Sequence, residues 1–146
     1  MRVEQLLTEM FDRVGNWVWR SDSGNQWVAE FRVNDSTYEF TFDYIEREYY
    51  WTANFYPKGG STIDVTEKHE AIMVLSTAVA ILNEFTLKAE QDFGGPYSIE
   101  FVASNDGVNR VNVYERILDR KLSNDYEYRK VRFHGNTAMF FITMKD

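Results

Sequence analysis

From Ala71 to Leu82 the chain carries only two polar side chains, Ser76 and Thr77, and both are small. A helix that is apolar on nearly every face must be covered on nearly every face. The run therefore predicts a core helix, framed by Asp64 and Asp92. Asp64-Val65-Thr66-Glu67 fits a capping box, with Thr66 as a rival cap, and Glu67 and Glu70 suit the positive helix end. Beyond Leu82 the pattern becomes one-sided: Phe85, Ala89 and Phe93 continue an apolar stripe while Asn83, Glu84, Lys88 and Glu90 face elsewhere. Gly94-Gly95-Pro96 stops the helix. The apolar run is about half of the roughly 20 residues a bilayer span requires, so no membrane span is expected.

Strands flank this helix. Trp17 to Arg20 reads as a short strand, followed by a Ser21–Asn25 loop. Trp27, Ala29, Phe31 and Val33 alternate with Val28, Glu30 and Arg32, and Tyr38, Phe40, Phe42 and Tyr44 alternate with Glu39, Thr41 and Asp43. Asn34-Asp35-Ser36 supplies one hairpin turn, and Glu46-Arg47-Glu48 supplies a second without a glycine. In the third long strand, Tyr49 to Tyr56, Tyr49, Trp51, Ala53 and Phe55 share one face. Its other face carries Tyr50 and Tyr56 beside Thr52 and Asn54. Two outward tyrosines imply either cover by another element, the commoner arrangement, or an exposed aromatic patch.

Ser98 to Ser104 alternates as a strand, Arg110 to Leu122 carries a helical stripe of Val111, Tyr114, Ile117 or Leu118, and Leu122, and Val3 to Val14 carries another. Tyr126 to Phe133 and Ala138 to Met144 read as strands joined by Gly135-Asn136. No repeat or linker divides residues 1–146, which are read as a single domain. The expected fold class is α+β: an antiparallel β-meander sheet packed on a long central buried helix, with two further helices.

Composition narrows the chemistry. The chain has no cysteine, which removes disulfides, thiolate metal sites and cysteine nucleophiles. Net charge is -7 and unevenly spread: residues 1–96 carry 8 Lys and Arg against 16 Asp and Glu, residues 97–146 carry 8 against 7. The acidic part repels nucleic acid and suits a basic partner. Aromatic residues make up 16%, an excess that serves cores and interfaces alike. Met1-Arg2-Val3-Glu4-Gln5 lacks the basic head and apolar run of a signal peptide, so a cytoplasmic protein is expected.

No motif carries a reaction. His69 and His134 lie in separate elements without partner spacing, so no metal and no catalytic residue is assigned. Asp43, Glu46 and Glu48 cluster at a turn but lack calcium-loop spacing. Lys58-Gly59-Gly60-Ser61-Thr62 precedes a helix as phosphate loops do, yet Asp64 and Glu67 place negative charge where a phosphate would sit. No cofactor is expected. Arg110, Arg116, Arg120, Lys121, Arg129, Lys130 and Arg132, interleaved with Tyr114, Tyr126 and Tyr128, form the one basic concentration. Such a set can pair phosphates and stack bases, although Glu115 and Asp119 opposite Arg116 and Arg120 read as helix-surface compensation.

Phe101-Val102-Ala103-Ser104 and Arg110-Val111-Asn112-Val113-Tyr114-Glu115-Arg116-Ile117 resemble a strand-turn-helix stretch of small uncharacterised bacteriophage proteins. The resemblance covers under a quarter of the chain and implies a virus-encoded accessory protein acting in a bacterial cytoplasm. In outline and acidity the chain is also similar to the acidic secretion chaperones. The expected function is a non-enzymatic protein-interaction module, an inhibitor, adaptor or chaperone of a bacterial host protein, with homodimerisation through a sheet edge or aromatic face as a further expectation. Trp17, Trp19, Tyr50 and Tyr56 are the candidate partner-binding anchors. The alternative is a nucleotide or nucleic-acid binder using Arg110, Arg116, Arg120, Arg129 and Arg132.

Overall fold

The computed structural model describes residues 15–33, 36–58, 68–93, 98–104, 110–132 and 137–145. Strands β1 (Asn16–Ser23), β2 (Gln26–Val33), β3 (Ser36–Ile45) and β4 (Tyr50–Pro57) are followed by helix α1 (Lys68–Phe93) and strand β5 (Ser98–Ser104). Helix α2 (Arg110–Lys121) and strands β6 (Tyr126–Arg132) and β7 (Thr137–Met144) complete the order. The seven strands form one sheet in the order β1-β2-β3-β4-β5-β7-β6. The helix expected over residues 3–14, the Asp64 cap, and the turns at Asn34-Asp35 and Gly135-Asn136 lie outside the described residues.

The alternating segments became the strands the pattern predicts, but the sheet is mixed rather than antiparallel. β4 and β5 pair in parallel, with Trp51 opposite Ile99 and Ala53 opposite Phe101. The cause is α1, whose 26 residues rise about 39 Å and carry the chain back along the sheet, so the next strand starts from the same end. All other neighbours are antiparallel.

Two turns depart from expectation. The Ser21–Asn25 loop shrinks to Gly24-Asn25, because β1 runs on to Ser23, opposite Gln26. Gly24 adopts φ 74, the left-handed backbone a two-residue hairpin needs, and its carbonyl accepts the Trp27 indole N–H at 3.1 Å. At the β3–β4 turn no glycine is available. Tyr49 takes the left-handed conformation instead, at φ 58, with its amide donating to the Ile45 carbonyl at 3.0 Å. The strand thus begins at Tyr50, and Tyr49, expected on the core face, stands 75% exposed.

The core lies between one sheet face and the helices. Trp27, Phe31, Phe40, Phe42, Trp51, Phe101 and Phe140 line that face. Phe85 of α1 inserts among them, stacked on Phe42 at 4.1 Å between ring centroids and edge-on to Trp27 and Trp51, each at 5.0 Å. Tyr114 of α2 meets Phe101 edge-on at 4.9 Å. The first half of α1 is buried almost all round, from Ile72 and Val74 to Leu82, while Leu87, Gln91 and Asp92 in its second half are exposed. By length and composition Ile72–Asp92 could also cross a membrane, and 67% of that window is buried inside the fold.

Polar side chains clamp α1 on both flanks. Along β1, the Thr77 hydroxyl accepts the Gly15 amide at 2.6 Å and donates to the Met73 carbonyl at 2.7 Å. Further along the same stripe, Glu84 accepts from Trp19 and Lys88 pairs with Asp22, both at 3.2 Å. On the other flank Asn83 bonds the Lys121 carbonyl at 2.7 Å and the Ser123 amide at 3.2 Å, and Glu90 accepts the Tyr126 hydroxyl at 2.7 Å. Burial first, and then the Glu90 bond, raise the Tyr126 phenol far above its ordinary range.

Replacing Phe85 with alanine is expected to destabilise the protein by about 3–5 kcal/mol in urea unfolding, whereas Leu87→Ala, at 55% exposure, changes stability by less than about 0.5 kcal/mol. A β-carbon at Gly15 would meet the Arg32 carbonyl oxygen at 2.1 Å. Gly15→Ala is therefore expected to cost about 1–3 kcal/mol by the same measurement.

Candidate functional site

Strand alternation decides where each candidate residue stands. Both described helices cover the Trp27 face of the sheet, and no described helix packs on the other. Trp17 and Trp19 lie on the helix side of β1, half-buried against the edge of the core. Tyr50 lies on the helix-free face. Tyr56 belongs to β4, with its side chain outside the described set. The four proposed anchors do not form one patch.

The helix-free face has an ordered chemistry of its own. The pairing registers set Gln26, Asp43, Thr52, Glu100, Phe141 and Arg129 in a single row across six strands. Asp43 accepts from the Gln26 amide at 2.8 Å, and the Arg129 guanidinium sits 5.4 Å from the centre of the Phe141 ring. Tyr50 flanks this row. Desolvation raises its phenol, and the nearby Glu100 and Glu48 carboxylates add to the shift. Val28, Met139 and Val131 supply aliphatic surface on the same face, and Glu39 and Glu127 add acid. Just before the start of β4 the exposed Tyr49 projects from its left-handed turn beside Glu46 and Glu48, also exposed. An aromatic at positive φ is an uncommon and strained conformation, of the kind that concentrates at functional places.

Further along this face, Arg20 and Lys58 grip Glu30 at 3.1 and 3.2 Å. Those two hydrogen bonds, Arg20 first, hold the Glu30 carboxyl below its ordinary value despite some desolvation. Lys58, read from the sequence as the start of a glycine-rich loop, is thus occupied by an ion pair, and the remainder of that loop lies outside the described residues.

A second feature runs beside β1. Gly15, Asn16, Trp17, Val18, Trp19 and Glu84 line a solvent-open groove of about 420 Å³. Glu84 reads from sequence as an ordinary solvent-facing helix residue. The signal for its role is its spacing from Thr77 and Lys88, seven residues after one and four before the other, which puts all three on the stripe facing β1.

The basic concentration is not assembled. Arg129 stands on the helix-free face and Lys130 on the helix side, as successive strand residues must. Arg116 and Arg120 are exposed on α2, and the side chains of Arg110 and Arg132 lie outside the described set. Glu115, read from sequence as compensating Arg116 and Arg120, instead pairs with Lys130 at 3.0 Å. Asp119 accepts the Tyr128 hydroxyl at 2.5 Å, and burial followed by that bond raises the Tyr128 phenol strongly. Asp43, Glu46 and Glu48 gather no cation cage: Asp43 and Glu46 are hydrogen-bonded to Gln26 and Asn25, and among the described residues no group of three potential metal ligands occurs. His69 belongs to α1 with its side chain undescribed, and His134 lies outside the described residues.

No protein-family model and no curated protein matches this chain.

The Tyr50 phenol is expected to titrate above its ordinary value of 10.0, so that its contribution to stability is complete below about pH 10 and fades as pH rises through the folded value. In an NMR titration, Glu100→Gln should bring the Tyr50 midpoint down. A midpoint that stays put would mean that Glu100 does not face this ring.

Proposed function

We propose that this protein is a non-enzymatic interaction module that binds a basic surface of another protein through the helix-free face of its sheet. The observation that carries this reading is the row from Asp43 through Thr52 and Glu100 to Phe141, flanked by Tyr50. It combines carboxylates that attract and orient a cationic partner with rings and aliphatic groups that reward desolvation. A net charge of -7 favours the same class of partner and makes pairing of two copies through this face unfavourable. The sequence resemblance adds a setting: an accessory protein of bacteriophage type, acting in the host cytoplasm as inhibitor, adaptor or chaperone of a bacterial protein. The arginine-based alternative gains nothing from the geometry, since Arg129 stands across the sheet from the helix that carries Arg116 and Arg120.

The test is capture from nuclease-treated bacterial lysate by the immobilised protein, compared with a variant carrying Asp43→Lys and Glu100→Lys and with Tyr50→Ala. A partner protein is expected to be held by the parent at about 0.1 M salt, released at about 1 M, and lost by both variants. Equal capture by parent and variants would overturn the reading. So would recovery of nucleic acid or a nucleotide in place of a protein.

A further inference from the structure

The groove beside β1 lies on the opposite side of the sheet from the proposed docking face, and its chemistry is distinct. Among the described residues its one carboxylate is Glu84, which accepts a single hydrogen bond there, from the Trp19 indole N–H at 3.2 Å. An ionised carboxylate offers about four acceptor positions, so Glu84, which lines the groove, keeps acceptor capacity beyond the Trp19 bond. Among the described residues no cation pairs with Glu84. Its natural helical partner, Lys88, one turn on, reaches Asp22 on β1 instead. Several other acidic side chains of the described residues are matched: Glu30 by Arg20 and Lys58, Glu115 by Lys130, Glu90 and Asp119 by tyrosine hydroxyls.

Indoles stand beside this carboxylate. Trp19 is fixed at its inner side by an edge-on contact with Trp27 at 5.6 Å and a tilted one with Phe42 at 6.0 Å. Trp17, two residues earlier on the same face of β1, also lines the groove. A carboxylate oriented by one indole and bordered by a second suits a flat cation that stacks on a ring while donating parallel hydrogen bonds to an acid. Among protein side chains the guanidinium does both, whereas a lysine ammonium is a strongly hydrated point charge without a plane. The groove also follows the backbone from Gly15 to Trp19 at the sheet edge, which lets an extended segment lie alongside while its side chain enters.

We infer that the Trp17–Trp19–Glu84 groove is a recognition site for an arginine side chain presented by a partner protein. The site is separate from the helix-free face, so each can fail without the other. The probe is Nα-acetyl-arginine methylamide, with the citrulline counterpart as a neutral isostere and the lysine counterpart as a non-planar cation. The readout is the indole N–H signals of the four tryptophans, of which Trp27 and Trp51 are buried and serve as internal references.

The arginine compound, at tens of millimolar, is expected to shift the Trp17 and Trp19 signals saturably and leave Trp27 and Trp51 in place. Glu84→Gln keeps an acceptor for the Trp19 indole and so keeps the fold, which its urea midpoint checks. It should weaken binding roughly tenfold, the scale of one hydrogen bond to a charged group. The Asp43→Lys, Glu100→Lys variant should bind the probe as the parent does, since its changes lie on the other face. Absence of any shift, an equal shift with citrulline, or unchanged affinity in Glu84→Gln would overturn the site. Equal affinity for the lysine compound would overturn arginine as its occupant.

Discussion

The fold depends on covering a helix that is apolar over most of its circumference. From Ile72 to Leu82 α1 offers no broad polar face to water, so it needs cover from several directions at once. The aromatic face of the sheet supplies one side. Phe85 extends the contact past the oily half, held by Phe42, Trp27 and Trp51. Burying a ring of this size contributes on the order of 2–3 kcal/mol by transfer alone, before the geometry of the ring contacts is counted. The remaining contacts are polar, and they fix rotation more than they add attraction: Thr77, Glu84 and Lys88 face β1, while Asn83 and Glu90 face the α2 end and β6. A turn of the helix about its axis would strand these groups without partners. That penalty sets the register of α1 on the sheet.

Two consequences follow for the rest of the molecule. Because α1 runs back along the sheet, β5 must start from the end where β4 began, and the parallel pair joins the first four strands to the β5-β7-β6 group. And because α1 and α2 share one face, the other is left without a described helix. A mainly antiparallel sheet tolerates this when its residues alternate, and these strands do. What exceeds tolerance is the composition of the open face, where Tyr50, Phe141 and Met139 stand with Asp43, Glu100 and Glu127 among its threonines.

The strands were legible because the period of two is local and survives any tertiary arrangement, and α1 was legible because its oil admits no exposed alternative. The direction of β5 was not, since it depends on how a helix is laid across a sheet. Tyr49 was misplaced for a different reason: the turn before it visibly lacks a glycine, but nothing in a run of aromatics shows that it will take its left-handed residue from the strand. The arginine set looked concentrated because closeness in sequence was read as closeness in space. Arg129 and Lys130 are neighbours along β6 and therefore opposites across the sheet. Trp17 and Trp19 were recognised as rings without an obvious core position, and they are half-buried, but their relation to Glu84, 65 residues beyond Trp19, belongs to the packed helix and to no local pattern.

Under the proposed reading the two surfaces would differ in kind. On the open face the carboxylates are spread across the sheet, where water and salt screen each of them, so their main effect is to draw in and orient a cationic partner rather than to hold it. Glu84 stands in a groove beside two indoles, where an entering cation loses part of its hydration and gains a ring and a directed acceptor together. Tightness in protein recognition comes from a few such enclosed contacts, and specificity from what they reject. An acidic face alone would accept many basic proteins. Pairing it with a groove that requires a planar cation at one position would separate a particular partner from the cationic background.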